Sequence, residues 1–546
     1  MRKKRVLLVS ENHKMATGFA TYCDNMLRRW NATGKYELAE FAIAMNKEQA
    51  ESYKAPWDIY SNSPSDKDHP DLVKAFHHNP SYQFGSWRLE QTILDFKPDI
   101  VCDIKDPWMN AHTSYSPLLP YFNWVWMPTC DSSPQKQEWM EWFSKADAIL
   151  AYSEFGVETL REESGDTLNI LGTASPAIDE RYMVKDKLEV RNRLGLDPEW
   201  NIVGTVMRNQ VRKLFPELFK SFKLFLDQAS PALANKTYLY IHTSYPEKLG
   251  WNIPDLISTY GINGKVLATY KCRTCGKPQS TFFKDAMTKC KHCHNYSSVM
   301  SSSSFGVSVE EQVDIYNSMD LYVQYANCEG FGLPVPEAAA CGVPIAGTDY
   351  SAVHDTVKNT GGYPIKVAKM FKDLGTCAER AYPDNQHFAE IMIEHFSLSS
   401  EAKEALSKRT VEMVNERYSW DHTAQVWMDY FDNYIPKPTE GQWNTPAMYK
   451  QMPEQMPNIP NNYHFLKWLY YEVAREPDAF YGYNGRKTLR DLNFGANMDY
   501  GSLEPVTREN VINMFKNKVN TYNSIEKMRV GLEKTNVESF YTKGTK

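Results

Sequence analysis

The amino-acid sequence predicts an α/β protein built from two doubly wound, Rossmann-like sheets. The first observation is an apolar run at 5–10, followed by a loop that contains Gly18 and then by apolar residues at helical spacing. A strand, a glycine-bearing loop and a helix in this order open a doubly wound sheet. The second observation is a new series of the same kind that begins at 201–206. Two such series in one chain predict two domains that face a shared cleft.

The remaining strands follow the same pattern in each half of the chain. Short apolar runs bounded by polar or turn residues are typical of buried parallel strands. Such runs lie at 99–103, 123–127 and 148–152 in the first half, and at 237–241, 320–324 and 343–346 in the second. A helix with one apolar face is predicted to begin near Pro216, since proline favours the first helical position.

Size and composition exclude a single small module and extensive disorder. The chain has 546 residues, of which 42% are hydrophobic and 13% aromatic, and this length accommodates roughly two to four domains. The formal net charge of −6 provides no global attraction to a polyanion. The basic start at 1–5 precedes a short apolar run at 6–9, too short for an export signal. We expect a cytoplasmic protein, of the host cytoplasm if the gene is viral, without a membrane span.

Two segments fall outside the alternation of strands and helices. One holds four clustered cysteines and a serine run, and the other is the aromatic-rich end of the chain, which we expect to pack as helices on the main body. The predicted units are an N-terminal Rossmann-like domain at 1–180, a second Rossmann-like domain at 181–415 with the cysteine-bearing insertion at 271–304, a further helix at 416–436 and a C-terminal extension at 437–546.

The cysteine cluster has the spacing of a metal site. Cys272 and Cys275 form one pair, and Cys290 and Cys293 form a second pair after fourteen intervening residues. Two such pairs are typical of a four-thiolate zinc ribbon. Four sulfurs close the coordination shell, so we predict a structural zinc ion. His292 and His294 are alternative ligands, although the paired cysteines form the better set.

The same segment is locally basic in an acidic protein. It has one acidic residue, Asp285, against six basic residues: Lys271, Arg273, Lys277, Lys284, Lys289 and Lys291. One interpretation is a solvated surface on a stabilising insertion. The other is that this ribbon and the aromatic extension recognise a large acceptor such as DNA, because positive charge and aromatic groups together suit a polyanion with accessible bases.

The segment 327–345 contains the residues best suited to chemistry. Seven residues separate Glu329 from Glu337, with Gly330 and Gly332 between them and Pro336 placed to start a helix. A glycine turn before a helix presents backbone amides that suit a diphosphate. Glu337, in the first helical turn, can accept from ribose hydroxyls, and Glu329 precedes the turn where it can face the reacting group.

Two cations follow the strand at 201–206. Arg208 and Lys213 lie on one loop before the helix at Pro216. Cations on one loop can converge on a diphosphate and neutralise a leaving group. Arg212 is a spare candidate for the same role.

These motifs resemble those of retaining GT-B glycosyltransferases of the Glu-x7-Glu, family 4-like type. Glu329 to Glu337 resembles the signature of that family, and Arg208 to Lys213 resembles its diphosphate clamp. Thr17-Gly18-Phe19 is similar to its N-terminal glycine loop, and 417–421 to the segment before its last helix. The resemblance covers about residues 1 to 435.

The resemblance implies a GT-B fold with the acceptor bound by the first domain, at 1–180, and the nucleotide-sugar donor bound by the second, at 181–415. It also implies that 416–436 is a crossover helix that returns to the first domain, and that transfer retains the anomeric configuration. Arg208 and Lys213 would hold the diphosphate, and Glu329 the hydroxyls of the donor sugar. The donor-binding set would be Gly18, Gly330, Phe331, Gly332, Leu333 and Glu337. No catalytic metal is expected, because the cations and the helix N-terminus neutralise the leaving group.

The chain departs from the family at two places. Leu214 stands where a glycine usually follows the lysine of the clamp. The family often has a histidine after a strand of the first domain, where this chain has Asp106 and only later His112. Asp106 is therefore the candidate contact to the donor sugar from the first domain, with His112 as the second choice.

The function predicted on this basis is a hexosyl- or pentosyltransferase. The basic ribbon points to a hydroxymethylated base in DNA as acceptor, as in phage-type DNA-modifying members of the family. An alternative is a non-catalytic protein that binds a nucleotide sugar or nucleic acid on the same scaffold. A phosphorylase or an epimerase with this fold is a third hypothesis.

Overall fold

The computed structural model describes residues 2–545 except 16, 66, 69, 117, 303, 304, 438–450, 475, 482, 496–505 and 534–536. Two large sheets, each flanked by helices, account for most of the described chain. We call the part built on the first sheet the first domain and the part built on the second sheet the second domain. The prediction of an α/β protein with two doubly wound sheets is confirmed.

The first sheet is formed mainly by the N-terminal third of the chain. Its first seven strands are β1 Lys4–Glu11, β2 Tyr36–Ile43, β3 Asp58–Ser61, β4 Ile100–Ile104, β5 Asn123–Met127, β6 Ala148–Ala151 and β7 Ile170–Thr173. All seven are parallel, in the spatial order β3-β2-β1-β4-β5-β6-β7. The order reverses between β1 and β4, which makes a crevice at the carboxyl ends of these two strands.

Helices cover both faces of this sheet, as expected for parallel strands. They are α1 Gly18–Ala32, α2 Lys47–Tyr53, α3 Pro70–His78, α4 Pro80–Gln83, α5 Leu89–Phe96, α6 Ala111–Ser114, α7 Gln137–Phe143 and α8 Glu154–Ser164. Short 3₁₀ turns lie at Pro107–Met109 and Leu119–Tyr121. Thr17 caps α1, because its hydroxyl accepts from the amide of Ala20, which satisfies one of the free amides of the first turn.

The second sheet contains the cysteine-rich insertion at one edge. Its strands are β8 Asn201–Val206, β9 Thr237–His242, β10 Val266–Cys272, β11 Pro278–Phe282, β12 Thr288–Lys289, β13 Tyr296–Met300, β14 Leu321–Gln324, β15 Ile345–Thr348 and β16 Tyr363–Ile365. Six strands are parallel in the order β10-β9-β8-β14-β15-β16, and β11, β12 and β13 add antiparallel pairs beyond β10. The order reverses between β8 and β14.

The helices of the second half pack on this sheet and return to the first domain. They are α9 Lys187–Leu194, α10 Phe215–Gln228, α11 Pro231–Lys236, α12 Ile253–Thr259, α13 Val309–Asn317, α14 Pro334–Ala340, α15 Ser351–Asn359, α16 Asn385–Ser397, α17 Ser400–Arg417 and α18 Trp420–Asn433. A separate hairpin is formed by β17 Val367–Lys372 and β18 Glu379–Pro383.

Helix α18 packs against α1 of the first domain through aromatic side chains. The rings of Trp30 and Phe431 lie 4.9 Å apart edge to face, and the indole of Trp427 donates to the hydroxyl of Tyr22 at 2.8 Å. All four side chains are buried. Buried aromatic pairs in this geometry add to the stabilisation from apolar area, so the second half of the chain is firmly attached to the first domain.

The C-terminal extension forms helices with a small core of their own. These helices are α19 Asn462–Trp468, a π-helical turn at Leu469–Val473, α20 Pro477–Tyr481, α21 Tyr483–Gly495, α22 Arg508–Glu533 and a 3₁₀ turn at Val537–Ser539. Lys467 pairs with Glu141 of α7 at 2.9 Å, and the ring of Tyr471 meets that of Tyr115 at 5.4 Å. The extension therefore lies on the first domain, although 438–450, 496–505 and 534–536 of its predicted range are outside the described residues.

The end of the chain returns to the first sheet. Strand β19, Tyr541–Thr542, pairs antiparallel with β3, and Phe540 beside it is buried. The edge of the first sheet is thus covered by the last strand, which removes free backbone groups from that edge. Among the described helices, none combines the length and apolar character required to cross a membrane.

Candidate active site and metal centre

Two loops of the second domain meet at the carboxyl ends of β8 and β14. These neighbouring parallel strands flank the point where the order of the sheet reverses, and ligands bind at such points in open α/β sheets. The amide of Asn327 donates to the carbonyl of Arg212 at 3.0 Å, and the amide of Leu214 donates to the carbonyl of Tyr325 at 3.0 Å. This backbone pairing holds the cationic loop after β8 directly beside Glu329.

Glu329 lies between two cations. Its Oε2 accepts from Arg212 at 2.7 Å, and its Oε1 pairs with the ammonium of Lys213 and accepts from Gln324 at 2.7 Å. The side chains of Glu329 and Lys213 are 6% and 7% exposed. A buried carboxylate is tolerated only when it is paired and hydrogen-bonded, so each cation contributes to holding Glu329 in place.

The backbone beside Glu329 is strained. The amide of Glu329 donates to the hydroxyl of Ser351 at 2.9 Å, and Ser351 has a left-handed φ of 52° at the start of α15. A non-glycine residue in this conformation costs of order 1–2 kcal/mol. Strain of this kind is commonly found at functional sites.

Arg208 does not join the Glu329 cluster. Its guanidinium donates to Glu247 at 2.9 Å, and its side chain is 54% exposed. The guanidinium, followed by the hydroxyl of Ser244, lowers the pKa of Glu247. The structure therefore brings Arg212 rather than Arg208 next to Lys213, and the loop spacing alone did not distinguish between the two arginines.

The glycine turn between the two glutamates is in contact with the first domain. A Cβ on Gly330 would lie 2.4 Å from Cγ2 of Thr129, and Gly332 has a φ of 85° that favours glycine. A Cβ on Gly18 would lie 3.2 Å from Leu333. Predicted residues from the two domains thus face each other, and the cleft is closed at this point.

The helix after this turn begins two residues earlier than Pro336 indicates. Helix α14 begins at Pro334, and its N-cap position, Leu333, makes no side-chain cap. Phe331 is buried, with its ring 5.5 Å from that of Tyr418. This contact anchors the turn to the segment between α17 and α18.

Glu337 lies in the first turn of α14 among other polar side chains. Its Oε2 accepts from the hydroxyl of Tyr316 at 2.8 Å and from Gln312 at 3.1 Å. Burial raises the pKa of Glu337 to about 7, against the lowering effect of hydrogen bonds from Tyr316 and Tyr182. The carboxyl group therefore titrates near neutral pH.

Asp106 lies across the cleft, two residues after β4. It accepts from the indole of Trp108 at 3.2 Å. Burial raises its pKa, opposed by a hydrogen bond from Thr129, and the charges of Asp131 and Glu11 raise it further. His112, the second choice for this role, has its pKa lowered by burial and then by the nearby Lys105, so its ring is neutral at pH 7.

An ion pair between the domains was not predicted from the sequence. The guanidinium of Arg380 on β18 lies 3.0 Å from the carboxylate of Asp131, which follows β5. The thiol of Cys328 is 3.3 Å from the same carboxylate, and the amide of Glu379 donates to the carbonyl of Ser133 at 2.7 Å. No motif connects these residues, which come from distant parts of the sequence.

The four clustered cysteines converge on one point. Their Sγ atoms all lie within 4.8 Å of one another, with Cys272 and Cys293 at 3.5 Å and Cys275 and Cys290 at 3.7 Å. These separations are far longer than a disulfide bond of about 2 Å. They are close to the edge of a tetrahedron around an ion with metal–sulfur bonds of about 2.3 Å. The sulfurs therefore fit one tetrahedral metal ion.

The alternative histidine ligands do not contribute to this cluster. The Nε2 of His292 lies 3.1 Å from the carbonyl oxygen of Pro278, and His294 is exposed with a φ of 62°. Within the described residues, the cysteines form the one group of three or more metal-binding side chains.

Comparison with known proteins agrees with this architecture. Residues 284–374 match the family described as Glycosyl transferases group 1. A 293-residue segment is 24% identical to D-inositol 3-phosphate glycosyltransferase of Rhodococcus jostii (strain RHA1), covering 53% of this chain and 53% of the relative. The chain thus spans about half the length of that curated relative.

Solved structures share the fold at low sequence identity. Sucrose-phosphate synthase of Thermosynechococcus elongatus superposes with a TM-score of 0.56 at 14% identity, covering 79% of this chain and 100% of the other. Anabaena HepE in complex with UDP and glucose superposes with a TM-score of 0.53 at 14% identity, covering 79% and 99%. The chain therefore has the GT-B fold and carries a glycosyl transferases group 1 segment, which supports the prediction of a glycosyltransferase enzyme.

Proposed function

We propose that this protein is a retaining glycosyltransferase, with the nucleotide-sugar donor bound by the second domain and the acceptor by the first. The observation that carries this proposal is the arrangement of Arg212, Lys213 and Glu329 at the reversal point of the second sheet. Two cations and one carboxylate at this position face the first domain across a closed cleft. This is where a diphosphate leaving group and a sugar would have to lie.

In this proposal the cations bind the diphosphate of the donor. The side chain of Arg212 is part-exposed and can turn from Glu329 to a phosphate oxygen. The side chain of Lys213 is buried and stays paired with Glu329. Arg208 pairs with Glu247 at the surface, and a diphosphate would compete with that carboxylate. Positive charge at the leaving group stabilises the negative charge that develops as the sugar–phosphate bond breaks.

Glu337 is the proposed partner of the ribose hydroxyls. Its carboxyl group is held by Tyr316 and Gln312 on α13, and it follows the glycine turn of Gly330 and Gly332. The complex of Anabaena HepE with UDP and glucose supports a nucleotide sugar as donor for this chain. In this arrangement Phe331 and Leu333 shape the turn that separates ribose from sugar.

Glu329 is proposed to bind hydroxyls of the transferred sugar. The bond between the anomeric carbon and the phosphate oxygen breaks, and a bond to the acceptor oxygen forms on the same face. The proton of the acceptor hydroxyl moves to the departing phosphate oxygen, so no separate base is needed. Asp106 in the first domain is the proposed sugar-side contact across the cleft.

The ribbon is proposed to hold zinc in a structural role. Zinc is the common ion of four-thiolate sites and supplies folding free energy to small segments. The four cysteines would hold it, and the closed shell leaves no position for a substrate. The cysteine-bearing turns continue the second sheet through β10 and β13, so the ion would fix the edge of the donor domain.

The proposed acceptor is a hydroxymethylated base in DNA. Arg273, Lys277, Lys284 and Lys289 are exposed on the ribbon. Lys271 is held by Glu311 and Lys291 by the carbonyl of Arg193. Exposed cations on one module can bind phosphates in a salt-dependent manner.

A panel of reactions tests the enzymatic proposal. The chain is incubated with several nucleotide sugars and with small glycans or hydroxymethylated duplex DNA, and products are measured by mass spectrometry. Transfer that is lost in Arg212→Ala but kept in Lys220→Ala, an exposed position on α10, supports the proposal. Retained anomeric configuration of the product is checked by proton NMR, and inversion would refute that part.

Other outcomes favour the other candidates. Binding of a nucleotide sugar without any turnover favours the non-catalytic alternative. Phosphate-dependent or acceptor-free turnover indicates a phosphorylase or an epimerase. For the DNA acceptor, the double variant Lys277→Ala with Lys289→Ala must weaken transfer to DNA and leave transfer to small glycans unchanged. Equal transfer to DNA by the variant and the unmodified chain excludes the role of the ribbon.

A further inference from the structure

Polar side chains lie at the carboxyl ends of four neighbouring strands of the first sheet, and we call this line of strand ends the carboxyl edge. Strands β1, β4, β5 and β6 are adjacent and parallel, so their carboxyl ends lie side by side. Glu11 ends β1, Asp106 follows β4, Thr129 follows β5 and Tyr152 follows β6. This edge includes the reversal point of the sheet, the usual position of a ligand in such folds.

The same edge faces the second domain. Thr129 contacts Gly330, whose Cβ position lies 2.4 Å from Cγ2 of the threonine. Gly18, at the start of α1, packs against Leu333. Since Glu329 directly precedes Gly330, the polar side chains of the first domain lie opposite the proposed sugar site.

Tyr152 is a buried hydroxyl without a partner. The residue is 8% exposed, and its hydroxyl oxygen makes no hydrogen bond to any residue that the structure describes. Burial raises its pKa, as do the groups around it, Tyr22 and Cys23 first and then Asp106 and Glu11. The neutral hydroxyl is therefore a free donor near two carboxyl groups, and buried polar groups are normally satisfied.

The two carboxyl groups carry no compensating cation. Glu11 accepts from the hydroxyl of Thr17, and Asp106 accepts from Trp108. In the described part of the chain neither forms an ion pair, whereas Asp131 has Arg380 and Glu329 has Arg212 and Lys213. Uncompensated carboxylates accept from hydroxyls and repel phosphate groups.

Trp108 provides an apolar surface beside Asp106. The residue is 48% exposed, so part of its ring is accessible. The ring edge contacts Phe84, with centroids 4.8 Å apart, and the indole nitrogen is held by Asp106. The ring is thus fixed in place with part of its surface open to a ligand.

We infer that Glu11, Asp106, Tyr152 and Trp108 form an acceptor subsite for a neutral, hydroxyl-bearing ring. Glu11 and Asp106 accept from hydroxyls of the ring, Tyr152 donates to one of them, and Trp108 packs on its apolar face. Asp106 has two acceptor oxygens, so it can contact this ring as well as the donor sugar. A phosphate on the ring itself is excluded by the two carboxylates. The inference rests on the proposed function, because that function assigns the acceptor to the first domain.

Binding experiments on the full chain test this subsite. The probes are methyl glucoside and 5-hydroxymethyldeoxycytidine as neutral rings from two sources, with glucose 6-phosphate as the charged counterpart. Saturation-transfer NMR measures each affinity in the presence of saturating UDP. We expect at least one neutral ring to bind, and glucose 6-phosphate to bind at least about tenfold more weakly than methyl glucoside.

Two variants separate this subsite from the rest of the protein. Tyr152→Phe removes only the hydroxyl, and Trp108→Ala removes the exposed ring. Each change is expected to lower the affinity for the neutral-ring probe about fivefold or more. Tyr296→Phe, an exposed tyrosine on the ribbon, is the control and leaves the affinity unchanged. UDP binding, followed by calorimetry, is expected to be the same in all three variants and in the unmodified chain.

The outcomes are distinguishable. Failure of both neutral rings to bind, equal binding by Tyr152→Phe and Trp108→Ala, or tighter binding of glucose 6-phosphate would each overturn the subsite while UDP binding persists. Absence of UDP binding in the unmodified chain would instead count against the proposed function. The two neutral probes show whether the subsite takes a sugar ring or a nucleobase.

Discussion

The guanidinium of Arg380 in the second domain lies 3.0 Å from the carboxylate of Asp131 in the first domain. Both side chains lie at the cleft, next to the contact between Gly330 and Thr129. The amide of Phe155 on α8 likewise donates to Asp355 on α15 at 2.8 Å. The two domains are thus joined by polar contacts at two positions, and the cleft between them is closed.

The buried pair of Lys213 and Glu329 predicts a large effect on stability. In Lys213→Ala the carboxylate keeps Arg212 and Gln324 but loses its buried cation. We expect the free energy of unfolding to fall by about 3 kcal/mol, because a buried carboxylate loses the more deeply buried of its two cationic partners. Urea denaturation measures this change.

Two further variants serve as controls for the predicted destabilisation by Lys213→Ala. Lys220→Ala on the exposed side of α10 should change the unfolding free energy by less than about 0.5 kcal/mol. Adding Glu329→Gln to Lys213→Ala should recover part of the loss, since the carboxylate charge that Lys213 compensated is then absent. A double variant as unstable as the sum of both single variants would show that the pair is not coupled.

Gly330 is expected to control closure of the cleft. Gly330→Ala would place a methyl group 2.4 Å from Cγ2 of Thr129, so the domains would have to separate at this point. We expect turnover to fall at least about tenfold, because a displacement of this size disrupts alignment of the reacting groups. Steady-state kinetics with the donor and acceptor identified by the product screen measure the effect.

A second change tests the cause of that loss. Thr129→Ser removes Cγ2 and keeps the hydroxyl, so Gly330→Ala with Thr129→Ser should regain most of the turnover. If the double variant remained as slow as Gly330→Ala alone, the loss would have to arise within the glycine turn itself.

Glu337 predicts a pH dependence of nucleotide binding. Burial raises its pKa from 4.5 to about 7. In the proposed donor site, the ionised carboxylate is the form that would accept from two ribose hydroxyls. Below pH 7 a proton competes with the ribose, so the dissociation constant for UDP should rise as pH falls. At pH 6 the expected weakening is about tenfold relative to pH 8.

Calorimetric titrations of UDP across this pH range measure the effect. Glu337→Gln cannot ionise, and it retains whatever dependence the phosphates of UDP have on their own. The difference between the two profiles is therefore the contribution of Glu337. Parallel profiles for the unmodified chain and the variant would rule out ribose binding by the ionised carboxylate.

The cysteine cluster predicts one tightly bound metal ion for each chain. Elemental analysis is expected to find one zinc ion per chain. Cys290→Ser is expected to lose this ion and to unfold at a lower temperature, because the ion supplies folding free energy to the ribbon. Cys377→Ser, at an exposed cysteine outside the cluster, is the control and should retain both. Full stability of a metal-free chain would contradict a structural role.

Local patterns were sufficient for the fold and for the cysteine cluster. The predicted strand at 123–127 is β5, and that at 201–206 is β8. The periodicity of apolar residues predicts strands and helices, and this periodicity depends only on near neighbours in the chain. The spacing of the four cysteines likewise anticipated a cluster whose sulfurs lie within 4.8 Å.

Partners that come from distant segments were not accessible to the same reasoning. Arg212 rather than Arg208 faces Glu329 because backbone pairing with 325–327 sets the direction of the loop. Arg380 reaches Asp131 from a hairpin that carries no recognisable motif. Both outcomes depend on the positions of several loops at once.

The sequence by itself determined that the chain forms two doubly wound sheets, with paired glutamates after a strand and four cysteines at metal-binding spacing. Only the tertiary structure decided which side chains face each other across the cleft. Glu11, Asp106, Thr129 and Tyr152 lie far apart along the chain and share one edge because β1, β4, β5 and β6 are neighbours in the sheet. The physical reason is that the periodicity of apolar residues shows only which face of one helix or strand is buried. Which residues form a site depends on the order in which the helices and strands pack.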